Sequence, residues 1–186
     1  MPGYRINVRN CKRAAVLANN RTTYTIDTPV AMPTLRSVDV TLKSSTGELY
    51  GDGELVSQIA KLTGATIQFG IDKVTLADRV ALTGATKTAK GVLQVKTTDT
   101  PPAVALYFEM QHDDGGYEAV WLLVGKCQPM SISAQQQESN ITYSTETITI
   151  DFVRREKDKI VLMHADTDDS SFDTAAQTAF AAAPDI

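Results

Sequence analysis

The chain of 186 residues holds two histidines and two cysteines. With its clustered aspartates, these are the residues that could carry catalysis or hold a metal. His112-Asp113-Asp114 sets an imidazole beside two carboxylates, a donor set suited to acid–base work or a borderline metal ion. Gly115-Gly116 follows at once, and Asp with Gly is what a tight hairpin turn requires, so a turn is the expectation. His164 shares an alternating face with Ile160 and Leu162 and is expected to be a satisfied or half-buried histidine rather than a ligand. Cys11 and Cys127 belong to no C-x-x-C pair and lack the companions of a zinc site, so both are expected to be reduced and packed.

Two further clusters come close to known motifs and miss them. Gly51-Asp52-Gly53 lacks the lysine and threonine of a phosphate-cradling loop. Asp166–Asp173 is as acidic as a calcium loop, but Ser171 stands at the sixth position instead of glycine and Gln177 at the twelfth instead of glutamate. A helix start explains those aspartates better. With no G-x-S-x-G turn and no H-E-x-x-H either, the expectation is a non-enzyme with no catalytic residue, no cofactor and no metal.

The elements around these residues read mostly as strands. Arg36–Lys43 alternates Val38, Val40 and Leu42 against Ser37, Asp39, Thr41 and Lys43. Ala65–Ile71 sets Ile67, Phe69 and Ile71 against Thr66 and Gln68, and Thr145–Val153 sets Ile148, Ile150 and Phe152 against Thr147, Thr149 and Asp151. This period of two marks strands with one buried face. Ala103–Gln111 and Tyr117–Val124 form a hairpin, and the second of them is apolar on both faces, so it must be covered on both. A last strand is expected near Lys159–Ala165. Thr75 with Asp78 resembles a capping box and Gly84 a left-handed stop, giving a helix over Leu76–Thr83. A second, alanine-rich helix is expected over Ser171–Ala183, capped by Ser170 or Asp173 and docked on something or frayed. Asn19–Pro33 reads as an irregular connection and Gln135–Asn140 as a polar loop. The class is mainly β, a sandwich with one packed helix and extended terminal arms. The division is 1–35 as N-terminal strand and arm, 36–165 as the β domain and 166–186 as an acidic helix or tail.

Charge separates the ends. Arg5, Arg9, Lys12, Arg13 and Arg21 are the charged residues of positions 1–21, and Asp166, Asp168, Asp169, Asp173 and Asp185 are those of 166–186. The ends therefore cancel, and the middle carries the whole net charge of −4. Either the ends are simply solvated, or Arg5, Arg9 and Arg13 attract Asp166, Asp168 and Asp169 across subunits, an effect that salt would screen. Basic residues do not interleave with aromatics, which argues against a nucleic-acid binder. No run approaches the ~20 apolar residues of a membrane span, and with no secretory apolar region near the N-terminus a cytoplasmic protein is expected.

Four stretches, in order and spacing, resemble the major tail protein family of long, non-contractile-tailed phages and prophages of Gram-positive type: Thr46–Val56 with its Leu49-Tyr50 pair, Gly64–Ile71 leading to Leu82–Ala85, Pro102–Glu109, and Tyr117–Lys126 followed by a polar linker and a threonine-rich strand ending at Arg154-Arg155. The resemblance covers Leu35–Ala165 and departs at Leu123 and Cys127, where aromatics are expected. It implies a virion protein made in the host cytoplasm whose rings, hexameric in that family, stack into a hollow tail tube. The implied partners are further copies, a tape-measure protein and a tail terminator, with DNA passing through the lumen without specific binding. Tyr50–Gly64 mixes Gly and Asp with Leu55, Val56, Ile59 and Leu62, which a solvated connection does not need, so Tyr50, Asp52, Glu54, Leu55 and Val56 are candidates for ring stacking. Glu109, Thr147, Thr149 and Asp151 are candidates for lumen wall or outer surface. The competing reading is a β-sandwich module binding carbohydrate or a cell surface, which needs exposed aromatics on one flat face.

Overall fold

The computed structural model describes residues 3–32, 34–51, 54–132 and 145–185. Asp52 and the polar loop expected at Gln135–Asn140 lie outside them. The chain is mainly β, with an antiparallel sheet and two short helices. In order it forms β1 (Arg5–Asn19), β2 (Tyr24–Ile26), β3 (Val30–Ala31), β4 (Leu35–Gly51), β5 (Glu54–Ile71), α1 (Leu76–Thr83), β6 (Thr86–Lys87), β7 (Leu93–Gln94), β8 (Val104–His112), β9 (Tyr117–Cys127), β10 (Glu146–Val153), β11 (Leu162–Asp166) and α2 (Thr174–Ala182).

Among the described residues nine strands make one sheet: seven follow the order β2-β1-β8-β9-β10-β5-β4, while β3 pairs with β1 and β11 with β9 off that path. The far edge of β9 is shared: β11 pairs with Glu118–Leu122 and β10 with Val124–Cys127. The short β6–β7 pair stands apart. The sheet folds back on itself, so the two apolar layers belong to one continuous hydrogen-bonded ladder. Its inner face joins Ile67, Phe69 and Ile71 of β5 to Leu106 and Phe108 of β8, Val120 and Leu122 of β9, and Ile148, Ile150 and Phe152 of β10. Leu82 of α1 and both cysteines close this core. Burial pushes both thiols up to about 12, which keeps them unreactive.

The opposite face of β8 and β9 carries Ala105, Tyr107, Ala119, Trp121 and Leu123, and α2 covers it with Phe180, preceded by Phe172. The two-sided apolar pattern of β9 thus has a cover on each side, the curled sheet on one and α2 on the other. Each fully buried aliphatic or aromatic side chain contributes about 1.5–3 kcal/mol. These few strands therefore carry much of the stability.

The caps follow the residues expected of them. Thr75 Oγ1 accepts from the Asp78 amide at 3.1 Å, and Gly84, at φ 75°, donates to the Val80 carbonyl. Asp173 caps α2 by accepting from the Ala176 amide at 2.9 Å. Both helices pack, where one packed helix was expected.

Two expectations need correction, and a third had two outcomes. Residues 1–35 are not a separable arm, because β1 lies inside the sheet and pairs with β8 from Arg5↔His112 to Ala15↔Val104. Asn19–Pro33 is not wholly irregular, since it supplies β2 and β3. The helix expected in 166–186 docks rather than frays, because Phe172 and Phe180 are buried in the core. No helix among the described residues is long and apolar enough to cross a membrane.

Candidate functional site

The strands expected at Arg36–Lys43 and Ala65–Ile71 are the roots of a much longer hairpin. β4 and β5 stay paired from Leu35↔Ile71 out to Gly51↔Glu54. β10 supports β5 only over Gly64–Ile71. Beyond Gly64 the hairpin runs on as a two-stranded ribbon, ten residues of β5 or about 33 Å at the rise of an antiparallel strand.

This ribbon is solvent-exposed along its length and carries large apolar side chains. Leu49, Tyr50, Val56, Ile59 and Leu62 are 49–68% exposed. The register sets Leu49 and Ile59 on one face, with Lys61 and Ser45, and Tyr50 and Leu62 on the other, with Ala60 and Gln58. Irregularities at Lys43/Ser44 and Leu49/Tyr50 interrupt the alternation. A two-stranded ribbon is marginal in water unless something packs on it. One with apolar groups on both faces has a physical reason to be covered by another molecule.

The other edge of β4 is also open. β4 ends the strand order, so its 17 residues present backbone groups with no strand partner among the described residues. Proteins usually keep such edges short, charged or bulged to prevent sheet extension. Arg36, Asp39 and Lys43 give partial protection on the rooted half, while the ribbon half has little beyond Glu48.

Next to this edge, the outward faces of β4, β5 and β10 form polar rows. Asp39, Gln68 and Thr149 lie side by side, as do Thr41, Thr66 and Asp151. Asp151 pairs with Lys43 and accepts from Thr66 at 2.6 Å and from Gln128 at 2.6 Å, which together hold its carboxyl near 2. Thr147 is exposed, and Thr149 and Asp151 are half-buried on this face. Glu109 is not part of it. It is 5% exposed on the α2 side, where Tyr107 donates at 2.8 Å, Arg9 at 2.9 Å and Asn10 at 2.8 Å, so it is no candidate for a wall or surface.

Of the residues expected to stack rings, Tyr50, Glu54 and Val56 are exposed near the far end of the ribbon, and Leu55 pairs with Tyr50 in the ladder. The Tyr50 hydroxyl donates to Glu48 at 2.7 Å, which raises its pKa.

Of the two readings of the terminal charges, solvated ends or attraction across subunits, the first does not describe Arg5, Arg9 and Arg13, which have partners within the chain. Arg5 pairs with Glu118 at 2.6 Å, Arg9 with Glu109 at 2.9 Å and Arg13 with Asp78 at 2.8 Å, all within one chain. Asp166 and Asp169 shape turns by accepting from the amides of Asp168 and Ser171, and Asp168 is exposed beside them. The tail acid with cationic partners is Asp185, which meets Arg155 at 2.6 Å and Lys157 at 3.3 Å. A hydrogen bond also joins the two ends, where Lys12 Nζ donates to the Ala181 carbonyl at the C-terminal end of α2, a favourable place for a cation.

A cluster that sequence reasoning missed centres on Glu118. It is 6% exposed and accepts two bonds from Arg5, while His112 and His164 each set Nε2 against it at 3.0 and 2.7 Å. Arg5, then burial and the histidines, set its acidity, and the balance lies near 2. A glutamate inside a two-sided apolar strand was the available signal, since a buried carboxylate must be paired. Among the described residues no hydroxyl or thiol is hydrogen-bonded to either histidine, so this cluster offers no activated nucleophile.

No family model matches the chain, and no curated protein shows significant similarity to it.

Proposed function

We propose that this chain is a structural, non-enzymatic subunit that assembles with copies of itself into stacked rings, forming a hollow tube of the kind built by the major tail proteins of long-tailed phages. The observation that carries this reading is the β4–β5 ribbon, apolar on both faces and about 33 Å long beyond its last supporting strand. Such a ribbon suits a head-to-tail contact, in which a projection of one copy lies on a different surface of the next. Heterologous contacts of this kind close into rings or continue as filaments. The open β4 edge offers a second joint, by continuation of the sheet into a neighbour.

The polar rows on β4, β5 and β10 suit a wall past which DNA slides. A cationic wall would hold phosphates by counterion release, whereas here Lys43 is already paired with Asp151 amid Thr, Gln and Asp side chains. Tape-measure and terminator proteins would be the remaining partners of such a tube, which would be part of a virion tail. The competing carbohydrate-module reading loses support because Trp121 is 0% exposed and Tyr107 1%.

Negative-stain electron microscopy with solution mass tests the proposal. Rings or tubes are expected from the full chain, and monomers or single rings after deletion of Gly51–Glu54. A full-length chain that stays monomeric at high concentration, or a deletion that forms ordinary tubes, contradicts it.

A further inference from the structure

The His112 corner plays no part in the assembly reading. His112 closes β8 and is 2% exposed. Its Nε2 is committed to Glu118 at 3.0 Å. Its other ring nitrogen, Nδ1, is buried and has no hydrogen-bond partner among the described residues. An unsatisfied buried polar atom destabilises the fold, so it needs a reason.

Two carboxylates supply one. A ring nitrogen of His112 and carboxylate oxygens of Asp114 and Asp168 all lie within 4.8 Å of one another. His112 and Asp114 lie at the end of β8 and in the β8–β9 turn that follows it, and Asp168 in the turn between β11 and α2, so the three join two distant parts of the chain. Asp114 is oriented by the Gly116 amide, which donates to its Oδ1 at 3.0 Å. Gly116 also keeps the place open. A Cβ there would stand 3.2 Å from Asp114 Oδ1, 3.6 Å from Asp168 Oδ1 and 2.8 Å from Thr167 Oγ1. Any side chain at 116 would therefore enter the space between the two acids. A second triad, His112 with Glu118 and Asp166, is equally close. Its Glu118 oxygens are already held by Arg5 and both histidines, and a cation there would meet the guanidinium.

We propose that His112 Nδ1, Asp114 and Asp168 bind a divalent transition-metal ion of the zinc type. One imidazole with two carboxylates suits zinc, whereas magnesium and calcium prefer all-oxygen shells. Tetrahedral ligands about 2.0–2.1 Å from zinc stand roughly 3.4 Å apart, so the acids, already within 4.8 Å, need to close by no more than about 1.4 Å on binding. Both are exposed turn residues, which leaves them free to do so and leaves a fourth position for water. Glu118 on Nε2 is the outer carboxylate that orients the ring and makes Nδ1 more basic, an arrangement common behind zinc-bound histidines. The ion ties the end of the β8–β9 hairpin to the turn that leads into α2.

The test uses the full chain, stripped of metal and titrated with Zn²⁺ by calorimetry, with Mg²⁺ as control and histidine side-chain ¹⁵N NMR as readout. One zinc per chain is expected, with a shift at His112 Nδ1 and little change at His164. Asp114→Asn and Asp168→Asn should each weaken binding at least about 10-fold, while the metal-free melting curve stays unchanged, because asparagine can still accept from the Gly116 amide and the Asp168 carboxylate has no hydrogen bond among the described residues to lose. No saturable binding overturns the proposal. So does binding that survives in the double variant, binding reported by His164 alone, or equal affinity for Mg²⁺.

Discussion

Trp121 Nε1 donates to the Phe180 carbonyl at 2.6 Å, joining the central strand β9 to α2 across 59 positions of sequence. The same indole lies 5.2 Å from the Tyr107 ring, which in turn meets Phe180 edge-on. The helix is therefore a lid on the outer face of the sheet.

Trp121→Phe keeps most of the packing and removes the donor, so it should lower the unfolding free energy by about 1–2 kcal/mol. Trp121→Ala should cost about 3–5 kcal/mol. Urea denaturation followed by circular dichroism gives both values. Removing residues 166–186 exposes Tyr107 and Trp121 as well as deleting five aspartates. Failed assembly of that truncation would then report a damaged fold, and the structure predicts such damage as lost cooperativity in the same melt.

Glu118 sets an acid limit. Its carboxyl is lowered from 4.5 to about 2, first by Arg5. A depressed carboxylate contributes stability above its unfolded pKa and loses it as pH falls toward its folded pKa. The unfolding midpoint should decline between pH 4.5 and about 2, and Glu118→Gln should flatten part of that decline. Asp151, also lowered to about 2, retains its own share.

His112 titrates in the opposite sense. Its bond to Glu118 raises its pKa from 6.5, so its contribution is complete below 6.5 and is lost as pH rises through the raised value. An NMR titration should find His112 above 6.5 in the parent chain and lower in Glu118→Gln. An unchanged His112 in that variant would contradict the assigned cause.

Leu49 and Ile59 share one face of the ribbon and are 62% and 68% exposed. The double change to aspartate should leave the isolated subunit within about 0.5 kcal/mol of the parent and abolish rings and tubes. Calorimetry and electron microscopy together separate those effects. Tubes formed by this variant would count against the ribbon as a joint.

Gly64 marks where the hairpin leaves its last support. A Cβ at this position would lie 2.4 Å from the Phe152 carbonyl oxygen. Backbone must move to relieve that clash, so Gly64→Ala should cost about 1–3 kcal/mol. Hydrogen exchange should show the loss centred on β5–β10 pairing, with α2 amides little affected.

Local rules explain what was legible beforehand. Side chains alternate along a strand whatever its partner, so the apolar runs of β5, β9 and β10 revealed their buried faces. Thr75, Asp78, Gly84 and Asp173 act within one turn of a helix, and they marked both helices. The mainly-β class followed from these elements alone. The ribbon was hidden because bulges break its period and its apolar groups lie on both faces, so Tyr50–Gly64 read as a connection between strands. Ion pairs were hidden for a different reason. Arg5–Glu118, Arg9–Glu109 and Arg13–Asp78 span 113, 100 and 65 positions. Composition counted those charges, but only the pairing of β1 with β8 and β8 with β9, the packing of α1 on the sheet and the pairing of β11 with β9 brought each arginine to its carboxylate and Asp168 to His112 and Asp114.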